Sequence, residues 1–246
     1  MMFNYKVTVQ YDGTKYSGWQ SQGNTQNTIQ CKLETVLSRM LDKKTEIFGA
    51  GRTDAGVHAK AQVFNFKSEI KLDEDAFMAD VNGFLPEDIA VIGIEEAPER
   101  FHARFNAKGK TYVYRLWTGD KPDVFLRKYV YAFPQSIDIN KMRSAARLMI
   151  GKHDFLAFSS AKAGKKSTVR EIYSIEIMEE GDEVRIILHG NGFLYNMARI
   201  ISGTLAQIGC GAIDESSILK AFETGSRSFA GVTLPACGLV LEKVDY

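Results

Sequence analysis

Gly49-Ala50-Gly51-Arg52-Thr53-Asp54-Ala55-Gly56-Val57-His58-Ala59 is the stretch around which the first half of this chain organises itself. Three glycines surround one carboxylate, with an arginine two residues before it, and Asp54 is the only acid between Glu46 and Glu69. Glycine lacks a Cβ, so a backbone built from it can approach a ligand closely. An aspartate there can meet a substrate directly, and Arg52 can hold it ionised by charge pairing. Two readings stand side by side: a loop that presents a carboxylate for chemistry, and a surface turn with a solvated acid.

Strands near Thr45–Phe48 and Gln62–Lys67 flank the loop. Within the second, Val63 and Asn65 alternate with Phe64 and Phe66. Upstream, Lys6–Tyr11 reads as a strand with Val7, Val9 and Tyr11 on one face, and Asp12-Gly13-Thr14 turns the chain. Ile29, Leu33, Val36, Leu37, Met40 and Leu41 mark a helical stripe that Asn27 or Thr28 caps. Downstream, Leu72–Phe84 reads as a helix ended by Leu85-Pro86, and Asp88–Ile94 as a strand. Strand, helix, strand, strand, helix, strand is the split βαβ order of a ferredoxin-like fold.

The second half repeats the theme. Thr111–Trp117 is a strand with Tyr112 and Tyr114 on one face, and Asp138–Ile150 a helix with Ile139, Met142, Ala146 and Met149 inward. Arg170–Met178 and Glu183–His189 form a hairpin around Glu180-Gly181-Asp182. Leu194–Ile208 is a helix, Asp214 caps another that runs to about Phe222, and Leu239–Tyr246 closes as a strand. The expected fold class is α+β: two ferredoxin-like halves with mostly antiparallel sheets around a central basic cleft. The boundary falls at Phe105–Gly109, giving residues 1–106 with the glycine loop and residues 107–246.

At 246 residues the chain fits one large domain or two small ones, and its 45% apolar content suffices for a core. Met1–Asp12 alternates polar and apolar residues without the apolar block of a secretory signal, and no run reaches the ~18 apolar residues of a membrane span. Cys31, Cys210 and Cys237 are scattered and odd in number, which points to a reducing compartment and away from a disulfide frame. His58, His102, His153 and His189 lie far apart without a nearby chelating partner, so no metal is expected. Gly49, Gly51 and Gly56 do not meet the dinucleotide fingerprint, whose third glycine comes three residues after the second and opens a helix. No Gly-Lys-Ser/Thr stands at phosphate-loop spacing either.

Net charge is +1, yet Arg100–Lys128 carries eight basic residues against two acids and Lys152–Arg170 five against one. Residues 1–105 hold 12 basic and 15 acidic groups. Basic stretches confined to part of a neutral chain suit a polyanion groove, or are solvated faces. Arg104, Lys108, Lys110, Lys165, Lys166 and Arg170 within them are the candidate polyanion contacts. Tyr112 lies in Lys110-Thr111-Tyr112-Val113-Tyr114-Arg115, where aromatics alternating with cations can stack a base and grip a phosphate, or can simply be core rings. Arg199 falls near the apolar stripe of its helix and needs a partner: a buried carboxylate, or a salt bridge at the rim. His58, His102 and Trp19 read as structural, and Phe193 and Leu239 as core.

Several of these segments together resemble the TruA family of tRNA pseudouridine synthases over nearly the whole chain. They are Tyr11-Asp12-Gly13-Thr14 through Gly18-Trp19-Gln20, Gly51–His58, Phe101-His102-Ala103-Arg104-Phe105, Lys110-Thr111-Tyr112, Asn196-Met197-Ala198-Arg199, Gly238-Leu239 and Val244-Asp245-Tyr246. One position departs, Val240 standing where an aromatic often follows the leucine. The resemblance implies that Asp54 is the catalytic aspartate and Tyr112 the tyrosine beside the target base. It also implies that Arg199 pairs with that aspartate, that Arg52 helps hold the flipped nucleotide, and that Leu239 lines an apolar pocket. The implied reaction isomerises uridine at positions 38, 39 or 40 of the tRNA anticodon stem–loop, after base flipping and without any cofactor. A cytoplasmic homodimer without metal or membrane is implied as well. A non-catalytic RNA-binding module and a carboxylate-dependent hydrolase are the competing expectations.

Overall fold

A computed structural model of the chain describes residues 2–160, 164 and 167–246, so the candidate contacts Lys165 and Lys166 lie outside the described residues. The chain forms two compact units, residues 1–108 with 241–246, and residues 109–240.

In the first unit the elements follow as β1 (Phe3–Tyr11), α1 (Ile29–Met40), β2 (Phe48–Gly49), β3 (His58–Ser68), α2 (Glu74–Phe84) and β4 (Ile89–Ala97). β1 lies between β4 and β3, β2 adds to β3, and every pairing is antiparallel. The resulting order, β4-β1-β3-β2, is that of a ferredoxin-like sheet. Tyr5 stands opposite Phe66 and Val7 opposite Phe64, so these four side chains share a face. Leu33 and Leu37 of α1 and Phe77 and Val81 of α2 are buried in the same unit. Each such apolar side chain contributes about 1.5–3 kcal/mol when fully withdrawn from water. Thr28 caps α1 by accepting from Cys31 N at 3.3 Å, and Asp73 caps α2 by accepting from Ala76 N at 3.1 Å.

In the second unit follow β5 (Gly109–Trp117), β6 (Tyr131–Ala132), α3 (Ile139–Arg147), β7 (Gly151–Asp154), β8 (Val169–Glu180), β9 (Glu183–Gly190), α4 (Met197–Gly209) and α5 (Ser216–Thr224). The strand order is β5-β9-β8-β7, antiparallel throughout, with β6 added parallel to β5. Strand, helix, hairpin and helix recur here, and the α+β class expected from the sequence is the class observed. The last strand, β10 (Leu239–Asp245), starts in the second unit and ends in the first, where it follows β3 in the strand order. Among the described residues no helix is long and apolar enough to cross a membrane.

Two elements differ from the sequence expectation for identifiable reasons. Thr45–Ile47 alternates in burial as a strand would, but its amides are taken by α1: Thr45 N donates to Ser38 Oγ at 2.9 Å and Ile47 N to Glu34 Oε1 at 3.2 Å. Only Phe48 and Gly49 remain for the ladder with β3. The helix expected from Leu194 begins at Met197, because Asn196 adopts φ +60°, a left-handed conformation no helix continues through.

Candidate active site

The glycine loop is fixed by the end of β1, the segment that follows it, and β3. Trp19 N donates to Thr53 O at 3.0 Å, Tyr11 Oη meets Thr53 Oγ1 at 2.8 Å, and Gln62 Nε2 donates to Gly51 O at 3.0 Å. Ala50 N donates to Val63 O at 2.7 Å, and Val57 N closes a turn on Asp54 O at 3.1 Å. Burial raises the pKa of the Tyr11 phenol, against the smaller lowering effect of its bonds to Thr53 and Gln62, so the hydroxyl is neutral at any working pH. His58, expected to be structural, is buried with Nδ1 3.1 Å from Gly13 N, which donates to it.

Two glycines outside the loop set its position. A Cβ on Gly13 would stand 2.0 Å from Val57 O. One on Gly18, whose φ is +96°, would stand 2.8 Å from Thr53 O and 3.2 Å from the Asp54 carbonyl carbon. Gly56 turns the loop at φ +78°. Tyr11, Gly13, Gly18 and Gln62 thus support the backbone of the loop that carries the carboxylate, a role sequence reasoning did not assign. The signal was present in the motif from Tyr11 to Gln20, whose glycines needed backbone neighbours as an explanation. Within the loop Asp54 is half-buried and Arg52 exposed.

The second unit holds Tyr112, Arg199 and Leu239. Tyr112 is buried on β5, and Phe193 meets its ring edge-on with centroids 5.0 Å apart. Tyr114, two residues on, is fully buried and donates to Pro235 O at 2.7 Å. Arg199 donates from Nε to Leu234 O at 2.6 Å and from Nη1 to Asn196 Oδ1 at 2.8 Å. Asn196 in turn donates from Nδ2 to Ser160 Oγ at 3.0 Å, which fixes which way its amide points. The guanidinium is therefore oriented by two of its donors, through an asparagine held in a conformation that asparagine tolerates better than most residues. Leu239 and Val240 are both buried.

The remaining cationic candidates divide between the units. Arg104 and Lys108 are exposed in the first, and Lys110 and Arg170 are half-buried in the second. Arg170 donates from Nη1 to Ser167 O at 3.0 Å and Val169 O at 2.6 Å, and burial lowers its pKa.

The family described as tRNA pseudouridine synthase matches residues 7–106 and 145–246. A tRNA pseudouridine synthase A 2 of Bacillus cereus is 47% identical over 245 residues, covering all of both chains. A tRNA pseudouridine synthase A of a Bacillus species is 46% identical over 249 residues, and a tRNA pseudouridine synthase A 2 of Clostridium perfringens 43% over 245, each again covering both chains fully. The chain belongs to the tRNA pseudouridine synthase family, a family of isomerases.

Proposed function

We propose that this protein converts uridine to pseudouridine at positions 38, 39 or 40 of the tRNA anticodon stem–loop, with Asp54 as the catalytic group. The observation that carries the proposal is a carboxylate on a loop clamped from several sides, inside a family-matched segment. Catalysis needs such preorganisation, because a charge held in place incurs no reorganisation cost as the reaction proceeds. In the reaction the N1–C1′ bond breaks, the uracil turns, C5 joins C1′, and the C5 proton leaves while N1 gains one. Substrate and product have the same composition, so the reaction needs no oxidant, water or group donor. One carboxylate can assist such a separation of base and sugar, as carboxylates do in glycoside cleavage.

The target is stacked in a stem, so it is extruded first at a cost of a few kcal/mol. Phosphate contacts from Arg104, Lys108, Lys110 and Arg170 offset that cost. Arg52 holds the flipped nucleotide, Tyr112 lies beside the base, Leu239 lines its apolar pocket, and Arg199 is the counter-ion of the catalytic carboxylate. Residues 1–106 and 107–246 form the two working halves, and the enzyme acts as a homodimer in the cytoplasm. The test is incubation with tRNA labelled with tritium at uridine C5, followed by mass spectrometry of the RNA. Release of label with no change in RNA mass beyond the exchanged hydrogen supports the proposal. A non-catalytic RNA-binding module releases nothing, and a hydrolase leaves RNA lighter by a base.

A further inference from the structure

The segment between β4 and β5 leaves one aromatic ring largely in water. Phe105 is 78% exposed and Phe48 43% exposed. His102 joins them: its ring centroid lies 4.2 Å from that of Phe105 and 5.3 Å from that of Phe48. Single exposed apolar residues are ordinary on protein surfaces, but a contiguous cluster of three mutually tilted rings on a fixed backbone is not.

The backbone under these rings is fixed. Ala103 N donates to the buried side chain of Asn65 at 2.9 Å, and Ala103 O accepts from Tyr246 Oη at 2.7 Å. His102 N donates to Asn106 Oδ1 at 2.8 Å, and His102 O accepts from Phe105 N at 3.1 Å and Asn106 N at 3.0 Å. Arg104 N donates to His102 Nδ1 at 3.1 Å, which fixes the orientation of the ring. Arg100 and Arg104 are exposed on the same segment, with Glu99 as the one neighbouring acid. Phe48 also opens β2, whose next residue, Gly49, begins the loop that carries Asp54.

Rigid exposed rings beside arginines are what single-stranded nucleic acid recognises. Bases stack on the rings whatever their identity, and the cations meet the phosphates. We propose that Phe105, supported by His102 and Phe48, is a stacking platform for an unpaired base of the tRNA substrate, with Arg104 and Arg100 on its phosphates. The inference rests on tRNA being the substrate and adds a binding residue for a nucleotide other than the one isomerised.

Phe105→Ala and Phe105→Trp, each beside the unaltered enzyme, test it. Loss of one stacked base predicts about a fivefold to hundredfold weaker Kd of Phe105→Ala for tRNA in filter binding. Turnover at saturating tRNA should stay within about twofold, so KM rises while kcat holds. Phe105→Trp should bind as tightly as the unaltered protein, and its added indole fluorescence should be quenched by tRNA. An unchanged Kd for Phe105→Ala, or no quenching of Phe105→Trp, overturns the platform. So does weaker binding that tracks a shift to a smaller species in light scattering, which would assign the ring to a contact between copies of the chain. Tritium release by the unaltered enzyme keeps the two ideas apart. If it releases label while Phe105→Ala binds normally, the platform alone fails; if it releases none from any tRNA, the isomerase reading fails.

Discussion

Replacing Gly18 by alanine should disable the enzyme without unfolding it, because the new methyl group would press on the loop that carries Asp54. Gly18 has φ +96°, a conformation alanine rarely adopts, and such strain costs of order 1–3 kcal/mol. A domain with roughly 5–15 kcal/mol of stability survives that loss at room temperature. The added Cβ would meet Thr53 O at 2.8 Å, about 0.6 Å inside an ordinary van der Waals contact. The obstacle is backbone on both sides, and Thr53 O is already bonded to Trp19 N, so the loop must shift as a piece. Misplacing a reacting group by about 1 Å costs on the order of a hundredfold in rate, so a shift of about 0.6 Å predicts a kcat lower by roughly tenfold to a hundredfold. The assay is steady-state tritium release at saturating tRNA, run beside urea denaturation of the same preparation. Gly23→Ala is the matched control, since nothing lies within 4 Å of its Cβ position. A Gly18→Ala enzyme that is folded and retains normal kcat would refute the idea that this contact sets the carboxylate's position.

Two further outcomes are expected. Affinity for tRNA should fall by at least tenfold between about 50 and 200 mM salt, because phosphate contacts release counterions; a flat response would mean that the basic stretches are solvated surface. Glu183 offers a test of stability against pH: its carboxylate bridges Arg115, at 2.7 Å to both Nε and Nη2, and Arg185 at 2.7 Å, two cations that stand opposite each other across β5 and β9. The Arg115 bonds, ahead of those from Arg185, hold the Glu183 pKa below its ordinary value, against the raising effect of burial. A lowered folded-state pKa gives stability that is full above the unfolded value and is lost as pH falls through the folded one. Glu183→Gln should therefore cost about 2 kcal/mol at pH 7 in chemical denaturation, with the deficit shrinking below about pH 4; a deficit independent of pH would remove the electrostatic explanation.

Local signals in the sequence were sufficient for most elements. Ile29, Leu33 and Leu37 at helical spacing behind Thr28 define α1 and its cap, and the glycine between Glu180 and Asp182 gives the turn of the β8–β9 hairpin, with φ +59°. What was not legible depends on distant partners. Nothing in Thr45–Ile47 reveals that Ser38 and Glu34 will take its amides in place of a neighbouring strand. Nothing in Asn196 announces a left-handed backbone, although that one dihedral delays α4 by three residues and turns its amide toward Arg199. The same holds around Asp54. The loop's composition is visible in eleven residues, but its support by Tyr11, Gly13, Gly18 and Gln62 arises from contacts between separate segments, such as that of Tyr11 with Thr53 across 42 positions. His102 looked like a structural histidine, and its ring contact with exposed Phe105 appears only once the backbone is folded.

The most direct test of the central claim replaces two oxygens by one and a nitrogen. Asp54→Asn keeps the size and shape of the side chain while removing its charge. With tRNA tritiated at uridine C5, the account predicts that this variant binds with a Kd within a few-fold of the unaltered enzyme and releases no label above background over many turnover times of the latter. Label released by Asp54→Asn at a rate near that of the unaltered enzyme would contradict it and transfer the chemistry to another residue.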